Sequence, residues 1–244
     1  MARLADAGEL GLRAPARALA VPAVRLADPE WTAEILARRA PAQGTTDRRV
    51  LATVWWYSAS SVLVTPPLAG LVTGIPLSAR LADLTVAVLP GLVPVAAVAA
   101  GTGTADPAAD LRSALRAVVA AVAEAGRMRE RPLWAIATDS IAGRLLAVGR
   151  AAGDVSRAIA LAGPLAAAVG PPLPAPRFED VAGARFVRRA SCCLLYRVPG
   201  GPTCTSCPRR PPEERRRLLE DTAARLQPEP QGRKSIESPN SCHR

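Results

Sequence analysis

The chain has 244 residues, 49% of them hydrophobic and 3% aromatic, with a formal net charge of +10. That size admits one large domain or two small ones, with a core built mostly of Ala, Leu and Val. The single histidine, His243, excludes any site that needs two imidazoles. The 31 basic residues are all Arg except Lys234, which, with abundant Ala, Gly and Pro, reads as a coding bias and weakens any functional reading of Arg as such. The charge still favours anionic partners.

Residues 1–44 read as a loosely ordered arm, interrupted by Pro15, Pro22 and Pro29, with a short helix from Pro29 to Arg39 around Trp31, Ile35 and Leu36. Asp6, Glu9, Arg13 and Arg17 break the apolar stretch that an export signal requires, so a cytoplasmic protein is expected. Gln43-Gly-Thr-Thr46 is a linker. Asp47 is a helix N-cap for a helix from Arg48 to about Leu63. Leu51, Val54, Trp55 and Val62 share one face, and Pro66-Pro67 is expected to end it. Trp55-Trp56-Tyr57 offers rings that could stack on a ligand, but a core role for one or two of the three outweighs it. The valine-rich runs Leu84–Leu89 and Leu92–Ala99, around Pro90-Gly91, predict a β-hairpin.

Asp106-Pro107 caps and opens a helix running to about Ala125, where Gly126 stops it. Pro132 opens the next, through Leu133, Ile136, Ile141, Leu145 and Val148. Asp139 and Ser140 interrupt this apolar helix, and a solvated or helix-packing role outweighs a place in a cleft. Asp154 caps a further helix ending by Gly170. The apolar runs Leu84–Gly101 and Ala158–Pro174 are broken by prolines and read as core elements rather than membrane spans. Pro171 to Pro176 is a stiff connector that separates a helical body, residues 45–176, from a C-terminal segment, 177–227. Pro212-Glu213-Glu214 begins a last amphipathic helix with Leu218, Leu219 and Leu226 on one face, its acidic first turn suiting the helix dipole. Residues 228–244 read as a disordered tail, which carries Cys242-His243. Gly101-Thr-Gly103 lacks the third glycine of a dinucleotide fingerprint.

Four of the five cysteines crowd into residues 192–207: Cys192-Cys193, ten intervening residues, then Cys204-Thr-Ser-Cys207. Thiols this dense point to a metal site or a redox centre. The side chains of an adjacent pair in an extended segment point apart, so Cys192 and Cys193 reach two atoms of a cluster more easily than one ion. Arg185, Arg188, Arg189, Arg197, Arg209, Arg210, Arg215, Arg216 and Arg217 surround the motif, against Glu213 and Glu214 alone. Spacing by itself leaves both a four-cysteine zinc site and an iron–sulfur cluster open.

The run Arg189-Ala-Ser-Cys-Cys-Leu-Leu-Tyr-Arg-Val-Pro-Gly-Gly-Pro-Thr-Cys-Thr-Ser-Cys207 resembles the C-terminal motif of the FhuF-like siderophore-iron reductases, with all four cysteine positions matched. Arg131-Pro-Leu-Trp-Ala-Ile-Ala-Thr-Asp-Ser-Ile-Ala-Gly143 and, more loosely, Trp55–Pro76 also look like stretches of that family. The resemblance implies a [2Fe-2S] cluster on Cys192, Cys193, Cys204 and Cys207. It implies one-electron reduction of Fe(III) in a ferric siderophore, since Fe(II) binds hard oxygen donors far more weakly.

Arg189 and Arg197 are candidates to flank the cluster, from charge and nearness in sequence. Gly200-Gly201 is expected to let the backbone approach the sulfurs. The chain shows no flavin or nicotinamide site, so an external donor such as a ferredoxin or flavodoxin is expected. No nucleic-acid module is recognisable, and membrane contact is at most peripheral. The expected architecture is α+β: a predominantly helical body with a small β-hairpin, closed by the iron–sulfur-binding segment. The rival readings are a zinc-stabilised, non-enzymatic binding protein and an iron–sulfur electron carrier or redox sensor.

Overall fold

A buried helix pair carries the architecture. A computed structural model describes residue 8 and residues 10–226. Residue 227 and the tail with Cys242 and His243 lie outside the described residues. In chain order these form β1 (Leu19–Pro22), α1 (Pro29–Gln43), α2 (Arg48–Thr73), β2 (Leu84–Leu89), β3 (Val93–Ala99), α3 (Pro107–Ala125), α4 (Arg131–Ala152), α5 (Val155–Ala160), α6 (Ala162–Val169), β4 (Phe178–Val181), β5 (Ala184–Val187) and α7 (Pro212–Leu226). The fold is α+β and predominantly helical, as the sequence predicts.

The caps set the helix starts. Asp28 Oδ1 accepts from the amides of Glu30 and Trp31 at 3.0 and 3.1 Å, and Asp47 Oδ1 does the same for Arg49 and Val50 at 3.0 and 3.2 Å. Asp106 caps α3 through the Ala109 amide at 2.9 Å.

α2 departs from expectation: it continues through Pro66-Pro67 to Thr73. The two prolines remove donors for the Val62 and Leu63 carbonyls, at a cost of about 3 kcal/mol for an interior proline. Burial offsets this, because every residue from 62 to 70 is buried, and full burial of a side chain such as Leu63, Val64 or Leu68 contributes about 1.5–3 kcal/mol. A proline stops a helix only where packing does not hold the helix in place.

α2 and α4 are tied by polar contacts inside the apolar core. Trp56 Nε1 donates to the Leu133 carbonyl at 2.8 Å, and Ser60 Oγ lies 2.7 Å from Ser140 Oγ. Trp55, Trp56 and Trp134 are fully buried, whereas Tyr57 is 42% exposed. Trp31 meets Trp55 edge-on, with centroids 6.3 Å apart.

The predicted hairpin is present. Its turn closes with Leu92 N donating to the Leu89 carbonyl at 3.0 Å, and Gly91 takes φ +84°, a conformation that costs glycine nothing. β2 also pairs with β1, giving a three-stranded antiparallel sheet in the order β1-β2-β3 with Val86 opposite both Val21 and Ala97. The N-terminal region therefore differs from the loose arm expected over residues 1–44. From Leu19 onward it supplies a strand and a fifteen-residue helix, with Leu26, Ile35 and Leu36 buried in the main core. Four residues ending in Pro22 are too short to show a period of two, so the strand carries no local signal.

The helix expected from Asp154 to Gly170 is two, α5 and α6, joined at Leu161. Pro164 cannot donate to the Ala160 carbonyl, which breaks the ladder there. β4 and β5 form a second hairpin absent from the sequence reading. Its two-residue turn, Ala182-Gly183, has φ +49° and +78°, the mirror-image turn that suits hairpins; Ala in place of Asn or Asp hides it. On α7 the buried positions are Leu219 and Ala223, packed with Val181 and Phe186 in a small second core. Leu226, the last residue of α7, is 48% exposed although it shares that face.

Candidate metal centre

The cysteine segment is positioned by a carboxylate on α4. Arg188 N donates to the Arg177 carbonyl at 2.9 Å, extending the β4–β5 hairpin. The chain then crosses α4, where Asp139 Oδ1 accepts from Ala190 N at 2.8 Å and Oδ2 accepts from Ser191 N and Oγ at 3.1 and 3.0 Å. Burial pushes the Asp139 carboxyl above its ordinary value, while the two amides, Arg189 and the Ser191 hydroxyl act the other way. The sequence reading favoured a solvated or packing role here. Ser140 does pack, against Ser60, but Asp139 anchors the cysteines.

Past the anchor the chain turns sharply, with Leu194 at φ +60°, and the amides of Leu194 and Leu195 donate to Cys192 and Cys193. A 3-10 turn, Leu195–Arg197, leads to Gly200-Gly201. A Cβ at Gly201 would lie 2.0 Å from the Leu195 carbonyl oxygen and 2.8 Å from that of Val198. The close approach made possible by this glycine is thus of backbone to backbone, not of backbone to sulfur as expected. Arg210 holds the far side of the loop: Nε donates to the Cys204 carbonyl at 3.0 Å, Nη2 to that of Thr203 at 2.6 Å, and Nη1 pairs with Glu214 at the start of α7.

The thiols fall into two nested pairs. Cys192 Sγ lies 3.9 Å from Cys207 Sγ, while Cys193 and Cys204 are each other's strongest influence on ionisation. All four are free thiols. A tetrahedral metal with bonds of about 2.3 Å separates two of its sulfurs by roughly 3.8 Å, so the first pair is already at chelating distance. Among the described residues no third His, Cys, Asp or Glu joins either pair to make a group of three. Cys193 and Cys207 are buried, while Cys192 and Cys204 are half-buried.

Arg189 is the cation of the site. Its side chain is 6% exposed, with Nε 3.6 Å from Asp139 Oδ2. Nη1 donates to Cys204 Sγ at 3.1 Å, and the guanidinium carbon stands 4.9 Å from the Tyr57 ring centroid. Burial works against its charge, but Tyr57, Cys204, Cys193 and Asp139 outweigh burial and hold it above the ordinary arginine value.

The hydrogen bond from Cys204 lowers the Cys193 thiol to about 5, helped by the Leu195 amide and Arg189 and opposed by burial. The same contact, then burial, raises Cys204. Arg189 Nε and Nη2 are buried without a hydrogen-bond acceptor, donor capacity that an anionic group held by these thiols would use. On chemistry, pairing and unspent donors, the residues fit a binuclear iron–sulfur centre.

Arg197, the other candidate from sequence, is exposed and faces Asp47 at 3.9 Å instead of the thiols. Asp139, Arg210 and Tyr57 were missed as site residues. Asp139 had a signal, a carboxylate in an apolar helix, and Tyr57 had one as a ring that could stack on a ligand; Arg210 is one arginine among many.

Residues 189–209 match the family described as the FhuF 2Fe-2S C-terminal domain. The match spans all four crowded cysteines and carries the resemblance seen in the sequence: the segment is a [2Fe-2S]-binding domain of FhuF type. No curated protein and no solved structure matches the chain. No helix among the described residues is long and apolar enough to cross a membrane.

Proposed function

We propose that this protein is a ferric-siderophore reductase. In this reading Cys192 and Cys207 hold one iron of the [2Fe-2S] centre and Cys193 and Cys204 the other. The bound centre supplies one electron at a time, drawn from an external carrier of ferredoxin or flavodoxin type, which converts Fe(III) in the chelate to Fe(II) and so loosens it. No proton or covalent bond has to be moved, so no general base is needed. Arg189 offsets the charge of the thiolates, and the Leu194 and Leu195 amides donate to sulfur, both of which favour a reduced centre. Asp139 and Arg210 hold the two ends of the motif in register. Cytoplasmic residence belongs to the same reading, since thiols stay available for metal in a reducing compartment.

The nested pairing of the thiols carries the proposal. A single zinc ion would gather four sulfurs around one point, whereas these stand as two separate pairs. The test is anaerobic preparation. The reading expects two irons and two acid-labile sulfides per chain, with visible absorption that bleaches on reduction. Mixing the reduced protein with ferric siderophores and an Fe(II)-specific chromophoric chelator should then release iron. Stoichiometric zinc without labile sulfide would end the proposal. A bleaching centre that releases no iron from any siderophore would make the protein an electron carrier or redox sensor.

A further inference from the structure

A cleft of about 490 Å³ opens beside Arg189, on the side of the site away from Cys192. Tyr57, Ser58 and Ser61 line it from α2, Gly143 and Arg144 from α4, and Arg189 from the cysteine segment; Ser206, next to Cys207, also borders it. Its volume is in the range of small-molecule sites. The two guanidinium groups face one carboxylate, Asp139, whose oxygens already accept from Ala190 and Ser191. Arg144 donates to the Leu10 carbonyl at 3.2 Å and pairs with no carboxylate among the described residues. Hydroxyl donors, the exposed Tyr57 face and an apolar wall that includes Val62, Pro94 and Phe186 complete the lining. This is a surface for an oxygen-rich anion with planar arms.

We infer that this cleft is the substrate site, and that it takes a ferric chelate with net negative charge and aromatic oxygen-donor arms, in preference to a neutral one. The inference rests on the reductase reading for the identity of the metal, but the binding it describes needs no electron. Tyr57 links cleft to centre: its ring lines the cavity and packs on Arg189, whose Nη1 touches Cys204 Sγ. A chelate lying on Tyr57 is therefore two side chains from the thiols. A second, smaller depression of about 320 Å³ contains Cys192 with Arg49 and Arg131. It has the hydroxyls of Thr53 and Ser191 but no aromatic ring for a planar arm to lie on, so it is the weaker fit for this ligand.

Gly143 provides a clean test. A Cβ built there meets nothing within 4 Å, so Gly143→Leu fills the cleft without displacing backbone. Arg144→Gln removes the charge, and Arg144→Lys restores it. The probes are gallium(III) chelates, which are redox-inert: an anionic tris-catecholate and a neutral tris-hydroxamate. Binding to the holoprotein is measured by equilibrium dialysis with gallium counting, and labile sulfide is assayed on every variant.

The tris-catecholate should bind more tightly than the tris-hydroxamate. Gly143→Leu and Arg144→Gln should each weaken it by about tenfold or more, with Arg144→Lys recovering part of the loss and sulfide content unchanged. Wild-type binding in both cleft variants, no binding of either chelate, or loss on the double change Arg49→Gln/Arg131→Gln instead, overturns the cleft assignment and leaves the reductase intact. Absent sulfide with intact, cleft-dependent gallium binding sinks the reductase reading and leaves the cleft standing.

Discussion

Asp139 and Gly201 do the most specific work per atom. Asp139 accepts three hydrogen bonds from residues 190 and 191 and faces a buried guanidinium. Asp139→Ala leaves two amides without their acceptor and Arg189 without its counter-ion, and loss of one partner of a buried ion pair costs roughly 3–5 kcal/mol. Denaturant unfolding should show that loss, with sulfide per chain falling in parallel, and Asp139→Asn should do less harm because an acceptor oxygen remains. A change below about 1 kcal/mol would show that the cysteine segment is held by something else. Gly200 and Gly201 separate strain from collision. Gly200 has φ +73° and open space around it, while a side chain at Gly201 meets carbonyl oxygens. Gly200→Ala should cost about 1 kcal/mol; Gly201→Ala should empty the site. Equal iron content in the two variants would contradict the loop geometry.

At the scale of elements, the small core of Val181, Phe186, Leu219 and Ala223 gives β4, β5 and α7 cohesion apart from the main core, and supports the proposed division between the body and residues 177–227. Leu219→Ala should cost about 2–3 kcal/mol. Amide hydrogen exchange should quicken in β4, β5 and α7 while α2 and α4 keep their protection. Uniform loss of protection throughout would mean that the two units are one. The elements also show what a linear reading captures. Caps at Asp47 and Asp106, and the Pro90-Gly91 turn, act within a few residues and were legible. The run of α2 past Pro66-Pro67, the strand at Leu19 and the β4–β5 hairpin are decided by partners distant in the chain, so no local pattern announces them. The same holds within the site. The cysteines were legible from spacing, but that Arg189 and not Arg197 reaches them depends on how the loop folds back.

For the whole molecule, exposed arginines gather on the cysteine segment: Arg188, Arg197, Arg209, Arg216 and Arg217 are all solvent-facing. An acidic electron carrier would be drawn to this face, and screening shortens that reach to about 10 Å at 0.1 M salt. Reduction of the centre by a ferredoxin or flavodoxin should therefore slow steeply between low and moderate ionic strength. Reduction by small neutral reagents should be insensitive to salt. Equal sensitivity for both would remove charge steering from the account.

The thiols are also nested, Cys193 with Cys204 inside Cys192 with Cys207. The Cys204-x-x-Cys207 unit, which looks like a self-sufficient chelator, is thereby split between two partners. Neither half can be completed by a local stretch of chain; residues fifteen and eleven positions upstream must first be brought round. In the proposed centre, loss of any one sulfur would strip one iron of half its protein ligands.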